Sequence, residues 1–155
     1  MNTKIIQATE KNQISSVKEL FLEYAESLNF KLCFQDFDKE LESLPGDYSP
    51  PDGRLYIALY ENKPVGCIAL RKFMDSVCEM KRLYVRPQFR GNNIGKKLVE
   101  LLIEDARKIG YKKMVLDTVP SMQTAQKLYR SFGFCEIKPY RINPVKGAKY
   151  MELKL

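Results

Sequence analysis

The sequence predicts an α/β fold in which a mixed β-sheet of about six or seven strands is flanked by about four helices. The chain has 155 residues, 45% of them hydrophobic and 29% charged, which is typical of one domain (1–155) with one core. Apolar residues recur with helical spacing in some segments and with strand spacing in others. These segments come in the order β-α-α, then three antiparallel strands, then α-β-α-β-β.

The first part of the chain supplies a strand and two helices. Ile5-Ile6 predicts a short strand, and Thr9 is placed to cap the helix that follows. The stripe of apolar residues in this helix is Ile14, Val17, Leu20, Phe21, Tyr24, Ala25 and Leu28. A weaker helix is predicted from about Asp36 to Leu44, ending at Pro45-Gly46.

Three antiparallel strands are predicted next, and the third contains a change of side-chain phase. The strands are Arg54–Tyr60, Pro64–Leu70 and Val77–Val85, the first two joined by a hairpin turn at Glu61-Asn62-Lys63. In the third strand the apolar residues change from even to odd positions at Lys81-Arg82. Because side chains alternate with a period of two, this change predicts a β-bulge that splays the sheet. A strand buried on both faces, without a bulge, is the alternative.

The rest of the chain alternates helices and strands. Helical stripes run from Ile94 to Ile109, with Gly110 at the C-cap, and from Met122 to Phe132. The remaining predicted strands are Lys112–Thr118, Phe134–Ile137 and Lys149–Leu155.

The composition excludes several kinds of chemistry. The chain has no histidine, which excludes imidazole metal sites, Ser-His and Cys-His pairs and histidine bases. No cysteines form a C-x-x-C pair, so we expect no metal site, and Cys67, Cys78 and Cys135 are expected to be small buried hydrophobic residues. Acid–base chemistry is left to Asp, Glu, Tyr, Lys, Cys or water.

The net charge of +7 favours anionic partners, such as nucleic acid, a phosphorylated cofactor or an acidic substrate. No helix-turn-helix, zinc-knuckle or RNP-like motif is present, so we do not expect a nucleic-acid partner. No apolar run approaches the roughly 20 residues of a membrane span, and Met1-Asn2-Thr3-Lys4 is not followed by an apolar signal segment. We therefore expect a cytoplasmic protein with no membrane partner.

The loop between the third antiparallel strand and the next helix has the features of a phosphate site. Gly91 and Gly95 allow a ligand to approach the backbone, and Arg90 and Lys96 add positive charge. The unpaired N–H groups and the dipole of the helix N-terminus favour an anion at the same place. The loop matches neither the Walker nor the dinucleotide pattern, and glycine loops also occur simply as helix starts.

Two motifs give a specific resemblance. The run Arg82–Leu98 resembles the acetyl-CoA-binding motif of the GNAT N-acetyltransferase superfamily, [QR]-x-x-G-x-[GA], with Gln88 and Gly91 at matching positions and Asn93 in place of the last small residue. The run Ala125–Phe134 resembles the family's second signature, A-x-x-L-Y-x-x-x-G-F. The order of elements is similar across nearly all of the chain.

The resemblance implies a single GNAT domain that transfers an acetyl group from acetyl-CoA to a primary amine of a small molecule or protein, by direct attack in a ternary complex. The residues that would hold acetyl-CoA are Leu83, Tyr84, Val85, Gln88, Arg90, Gly91, Asn92, Asn93, Ile94, Gly95 and Lys96. The alternative is a catalytically inactive module that senses CoA.

Two residues are candidates for proton transfer. Tyr129 is at the position that the family commonly uses to protonate the CoA sulfur, and a phenol suits this role because the ordinary pKa values of phenol and thiol differ by about 1.5 units. The alternative is a core tyrosine. Glu79 is the candidate base, directly or through a water, provided that burial raises its pKa. The alternative is a surface glutamate paired with Lys81 or Arg71.

For the acceptor side we expect Gln35, Arg71, Tyr140 and Arg141. The two arginines could receive an acidic acceptor, or they could be solvated charges at the rim. GNAT domains often form homodimers, and the last strand could supply an edge for one.

Overall fold

The structure is a computed structural model that describes residues 2–28 and 36–155, and its described part contains seven strands and four α-helices. The strands are β1 (Thr3–Gln7), β2 (Arg54–Tyr60), β3 (Lys63–Met74), β4 (Val77–Val85), β5 (Lys113–Thr118), β6 (Cys135–Ile137) and β7 (Lys149–Lys154). The helices are α1 (Lys11–Ser27), α2 (Phe37–Ser43), α3 (Ile94–Ile109) and α4 (Gln123–Ser131). The predicted α/β fold class is confirmed.

The strands form one mixed sheet in the order β1-β2-β3-β4-β5-β7-β6. All neighbours are antiparallel except β4 and β5, which are parallel. The last strand therefore lies between β5 and β6, and the prediction that it supplies an edge is wrong. Tyr150, Met151 and Leu153 are all buried, so both faces of β7 are covered, as expected of an internal strand.

Local sequence explains two boundaries. The β2–β3 hairpin turns at Glu61 and Asn62, whose φ angles of 48° and 66° are those of a two-residue turn that follows the twist of the strands. Helix α1 is capped by Glu10 and not by Thr9 as predicted. The Gln13 side-chain oxygen accepts the backbone N–H groups of both residues, at 2.9 and 3.0 Å, and this capping box sets the start of the helix.

Hydrophobic residues cover both faces of the sheet. On one face α1 and α2 bury residues such as Leu20 and Phe21 against β2 and β3, and on the other α3 buries residues such as Leu98 and Leu102. Cys67 and Cys78 are buried as predicted, but Cys135 is exposed, because it lies on the short edge strand β6.

The predicted bulge in β4 is confirmed. In the β3–β4 pairing Ala69 lies opposite Lys81 and Cys67 lies opposite Tyr84, so β4 has one residue more than β3 over this stretch. Arg82 adopts the left-handed conformation, with φ of 61°. Strand β4 pairs with β5 only from Val77 to Glu79, whereas β5 continues to Thr118 beside β7. The sheet therefore opens between β4 and β5 from the bulge onward.

Candidate functional site

A groove of about 430 Å³ lies at the open end of this gap. It is bounded by the end of β4, the loop before α3, the first turn of α3 and the N-terminal part of α4. Nine of the residues predicted to hold acetyl-CoA line it: Leu83, Tyr84, Val85, Arg90, Gly91, Asn93, Ile94, Gly95 and Lys96. The structure therefore brings most of the predicted set to one surface, which we call the main groove.

Two predicted residues do not line the main groove. Gln88 is exposed in the short 3₁₀ turn Pro87–Phe89. The side-chain amide of Asn92 donates a hydrogen bond to the Phe89 carbonyl at 3.1 Å. Asn92 thus stabilises the loop, and its side chain is directed to the backbone of that turn.

The loop conformation opens the N-terminus of α3 to the groove. Gly91 has φ of 87°, a conformation that favours glycine, and the space beside it is open, since a Cβ atom there would meet nothing within 4 Å. Asn93 has φ of 62° and is the N-cap of α3, with its carbonyl accepting the Lys97 N–H at 3.0 Å. The first N–H groups of α3 have no partner inside the helix, so the groove has a site suited to an anion.

The facing wall of the main groove comes from residues that were not predicted to bind a ligand. These residues are Ser27, Leu28, Phe89, Ser121, Met122, Thr124, Ala125 and Leu128. The signal for two of them was in the sequence, because Ala125 and Leu128 belong to the second motif quoted above. A Cβ atom at Gly95 would lie 3.7 Å from the Leu128 side chain, so α3 and α4 flank the groove closely.

An ion-pair cluster connects the end of β4 to α1. The Arg86 guanidinium donates to both carboxylate oxygens of Glu23, at 2.6 to 3.1 Å, and to the Pro64 carbonyl at 2.7 Å. The hydrogen bonds from Arg86 hold the pKa of Glu23 below its ordinary value. Beside this cluster, the Arg90 Nε donates to the Val85 carbonyl at 2.9 Å. These contacts fix the strand end that forms the floor of the main groove.

A second, smaller cavity of about 40 Å³ lies deeper in the gap between β4 and β5. We call it the inner cavity, and it shares Leu28, Leu83 and Met122 with the main groove. Its other lining residues are Tyr24, Met80, Lys81, Arg82, Leu116, Asp117, Thr118, Val119, Tyr129 and Asn143. The two spaces are therefore adjacent.

Tyr129 is both a buried residue and a residue of the inner cavity. Its side chain is 6% exposed, and its ring centroid lies 5.8 Å from that of Phe134. Burial raises the pKa of Tyr129 above its ordinary value because the phenolate is poorly solvated there. The phenol therefore keeps its proton at neutral pH.

Glu79 is fully buried, so its interpretation as a surface residue is wrong. It accepts hydrogen bonds from Tyr140 Oη at 2.6 Å, Arg71 Nε at 2.9 Å and Arg141 Nη2 at 2.9 Å. Burial alone would raise the pKa of Glu79, but the positive charges of Lys81, Arg141 and Arg71 and the Tyr140 hydrogen bond lower it below its ordinary value. The condition under which Glu79 could act as the base, a raised pKa, is therefore not met, and the carboxylate is ionised at neutral pH.

Three of the residues predicted to bind the acceptor, Arg71, Tyr140 and Arg141, contact the Glu79 carboxylate instead. Arg141 pairs with Glu79 at 2.7 Å and with Asp117 at 3.9 Å, and Arg71 pairs with Glu79 at 2.9 Å. Tyr140 donates its hydroxyl to the same carboxylate. Gln35 lies outside the described residues. The two arginines are thus engaged by protein carboxylates rather than directed to solvent.

Sequence reasoning used Lys81 and Arg82 to locate the bulge, and Lys81 also as a partner for a surface Glu79, yet both side chains are buried. The Arg82 guanidinium forms a two-pronged pair with Glu40 of α2, both hydrogen bonds being 2.9 Å. Lys81 lines the inner cavity. The available signal was the presence of three charged residues, Glu79, Lys81 and Arg82, in an otherwise apolar strand, because burying charge is costly unless it serves a purpose.

The described residues contain neither a metal-binding cluster nor a membrane-spanning helix. Within 2–28 and 36–155, no three His, Cys, Asp or Glu side chains are arranged to hold a metal ion. No helix in this part of the chain is long and apolar enough to cross a membrane.

The chain is similar to known acetyltransferases. A model described as the acetyltransferase (GNAT) family matches residues 14–134. An uncharacterised N-acetyltransferase from Dictyostelium discoideum is 36% identical, with all of both chains covered. Another from Schizosaccharomyces pombe is 40% identical over 92% of this chain and 88% of the relative.

Solved structures share the fold. A GNAT-family acetyltransferase from Staphylococcus aureus has a TM-score of 0.83 at 21% identity, with 99% of each chain covered. A GNAT-family acetyltransferase from Elizabethkingia anophelis, solved with acetyl-CoA bound, has a TM-score of 0.72 at 24% identity, again with 99% of each chain covered. The family model covers most of the chain, and both sequence relatives are more than 30% identical over nearly all of it. The chain therefore belongs to the acetyltransferase (GNAT) family.

Proposed function

We propose that this acetyltransferase uses acetyl-CoA and transfers the acetyl group to a primary amine, by direct attack while both substrates are bound. The observation that carries the proposal is the adjacency of the two spaces: the main groove has an anion site at the start of α3, and it meets the inner cavity at the bulge. A long anionic thioester and a small amine can thus approach the same point from two sides.

The main groove fits the chemistry of CoA. The backbone beside the bulge, at Leu83 and Val85, lies where β4 and β5 have separated. Apart from the Val85 carbonyl, which accepts the Arg90 Nε–H, it can pair with the amides of a pantetheine arm as a strand would. The first turn of α3, with Gly91, Gly95 and the exposed Lys96, suits the pyrophosphate. The acetyl-CoA bound to the Elizabethkingia protein, which shares this fold, supports the assignment.

The chemistry needs little beyond positioning and two proton transfers. Holding the amine next to the thioester carbonyl replaces a bimolecular encounter, and a backbone N–H near Val85 is suited to bind the oxygen as negative charge develops on it. Tyr129 is the proton donor for the departing thiolate, since its phenol is buried beside the cavity and protonated. We assign Glu79 to holding Arg71, Arg141 and Tyr140 in place.

The test combines binding and turnover. Calorimetry with CoA and acetyl-CoA measures occupancy of the main groove, and release of free thiol is followed over a panel of amino acids, polyamines, aminoglycosides and peptides. We expect CoA to bind and at least one amine to give acetylated product, identified by mass spectrometry. A protein that binds CoA without turning over any amine would instead be the sensor module, and one that binds no CoA would contradict the proposal entirely.

A further inference from the structure

Lys81 occupies an unusual position for a lysine. It is 6% exposed, lies at the start of the bulge in β4 and lines the inner cavity opposite β5. Tyr129, the proposed proton donor, lines the same cavity from α4. Burial of a lysine is rare because an ammonium group is strongly solvated in water. The position therefore places an amine where the two substrates are proposed to meet.

The charged groups around Lys81 act on its protonation in both directions. Glu79 on its own strand and Asp117 on β5 favour the ammonium form, whereas Arg82, next along β4, and Arg71 disfavour it. Burial has the largest effect and favours the neutral amine, because an ammonium group loses its solvation there.

The pKa of Lys81 reflects this burial. Burial and the positive charge of Arg82 lower it from 10.5 to about 7, although Glu79 and Asp117 act in the opposite direction. From the other elements around the cavity, Tyr24, Tyr129 and Asn143 contribute uncharged polar side chains. Near neutral pH a large fraction of Lys81 is therefore the free amine, which can accept a proton.

A second polar atom in the inner cavity points to a small ligand. The Thr118 hydroxyl is buried, its residue being 4% exposed, and it has no hydrogen-bond partner among the described residues. It belongs to the cavity lining together with Lys81. The volume of about 40 Å³ exceeds the roughly 10–15 Å³ that a single water requires. The cavity thus has room for an amine nitrogen, and the Thr118 hydroxyl in its lining is placed to bind that nitrogen.

We propose that Lys81 is the catalytic base of the reaction and that Thr118 helps to hold the acceptor nitrogen beside it. This inference rests on the proposed function and deepens it. The acceptor nitrogen forms its bond to the acetyl carbonyl carbon, the carbon–sulfur bond breaks, and Lys81 Nζ takes the proton that the nitrogen loses. Tyr129 gives its proton to the thiolate. Lys81 then releases a proton to solvent and Tyr129 regains one, so both residues are restored.

The other acids and bases nearby are less suited to this step. Both oxygens of Glu79 are occupied by Arg71, Arg141 and Tyr140, and its pKa is lowered. Asp117 accepts a hydrogen bond from the Asn143 amide at 3.2 Å and pairs with Arg141. Burial favours the neutral form of Lys81, and Lys81 lines the cavity.

The first test reads the protonation of Lys81 without using activity. Protein labelled with ¹³C at the lysine Cε is titrated by NMR, and Lys81→Arg identifies the resonance. We expect a midpoint near pH 7. A midpoint above about 9, near the range of ordinary lysines, would overturn the proposal.

The second test uses the amine that gives the fastest thiol release in the panel. We expect Lys81→Met and Lys81→Arg to lower kcat by about 10²-fold or more while the KM for acetyl-CoA stays unchanged. In the wild type kcat should rise as the pH increases through about 7. This pH-dependent rise should be absent in both variants. Lys72→Met is the matched control, and circular dichroism checks the fold, with Lys81→Gln as the replacement if Lys81→Met unfolds.

The outcomes separate the inference from the function on which it rests. Turnover and a pH profile that survive Lys81→Met would overturn the inference alone, because acetyl transfer would still be present. A wild type that turns over no amine would contradict the proposed function, and the inference would fall with it.

Discussion

At the scale of single residues, the proton donor can be tested by removing one oxygen. Tyr129→Phe keeps the ring that packs against Phe134 but removes the hydroxyl beside the inner cavity. We expect kcat to fall by about 10²-fold, because the thiolate must then take its proton from solvent. The affinity for CoA, measured by calorimetry, should not change.

The matched control for this variant is Tyr111→Phe, in which the lost hydroxyl donates to the Asp52 carbonyl at 2.7 Å, away from both spaces. Its kcat should equal that of the wild type. If Tyr129→Phe also retained full turnover, the thiolate would have another proton source and our assignment of Tyr129 would be wrong.

The protonation of a single buried residue could not be predicted from this sequence. The position of Glu79 on the central strand was readable, but its protonation was not. The groups that lower its pKa include Arg141 and Tyr140, which are 62 and 61 residues away along the chain. A pattern read over neighbouring residues contains no information about such long-range contacts, so the sequence could not show whether burial would raise the pKa of Glu79.

At the scale of elements, the start of α3 can be tested with a pair of variants that differ in one charge. Gly95→Asp puts a carboxylate into the main groove, whereas Gly95→Asn adds a side chain of the same size without the charge. A Cβ atom at this position meets only ordinary contacts, the nearest at 3.7 Å, so both should fold. An acidic residue in the first turn of a helix is favourable.

We expect Gly95→Asp to weaken CoA binding at least about tenfold more than Gly95→Asn, because its charge repels the pyrophosphate. Calorimetry at low and high salt checks this, since screening should narrow the difference between the variants. Equal affinities for the two variants would mean that the anion site does not hold the pyrophosphate.

The bulge in β4 depends on a contact between elements. Arg82 adopts a left-handed conformation, and its guanidinium is 2% exposed and paired with Glu40. We expect Glu40→Gln to lower the free energy of unfolding by about 2–4 kcal/mol, because it leaves a buried positive charge without its carboxylate. Urea denaturation measures the loss.

The double variant Glu40→Gln/Arg82→Met is the control for this explanation. It removes both charges, so we expect it to recover part of the lost stability. A double variant that is less stable than Glu40→Gln alone would show that the pair matters through packing rather than charge.

Elements were predicted better than their arrangement. The period of side chains fixed the positions of all seven strands and four helices to within a few residues, because amphipathic spacing is a local property. The change of phase also located the bulge. The insertion of β7 between β5 and β6 could not be read in this way, since strand order depends on which distant segments pair. Similarly, Thr9 was a plausible cap, but the Gln13 side chain set the helix start at the next residue.

At the scale of the whole molecule, the site exists because the sheet is interrupted between its two halves. On one side, β1 to β4 carry α1 and α2, and on the other, β5 to β7 lie next to α4. Beyond Glu79 the halves are no longer joined by backbone hydrogen bonds. The buried cluster around Glu79 joins them instead, since Arg71 belongs to β3 and Arg141 lies in the segment before β7.

This arrangement predicts how the molecule responds to acid. The pKa of Glu79 is lowered from 4.5 in the folded protein, so its ionised form contributes stability that is complete above about pH 4.5. That contribution is lost as the pH falls through the lower folded value, because the folded state must then accept a proton that it disfavours.

We expect Glu79→Gln to be less stable than the wild type by about 2–4 kcal/mol at pH 7, since the cations around it lose their partner. We also expect its stability to fall less steeply between pH 5 and pH 3. Urea denaturation across this range measures both effects, with the exposed Glu100→Gln on α3 as a control that should change neither. If Glu79→Gln and the wild type lost stability in parallel, the cluster around Glu79 would not be what joins the two halves of the sheet.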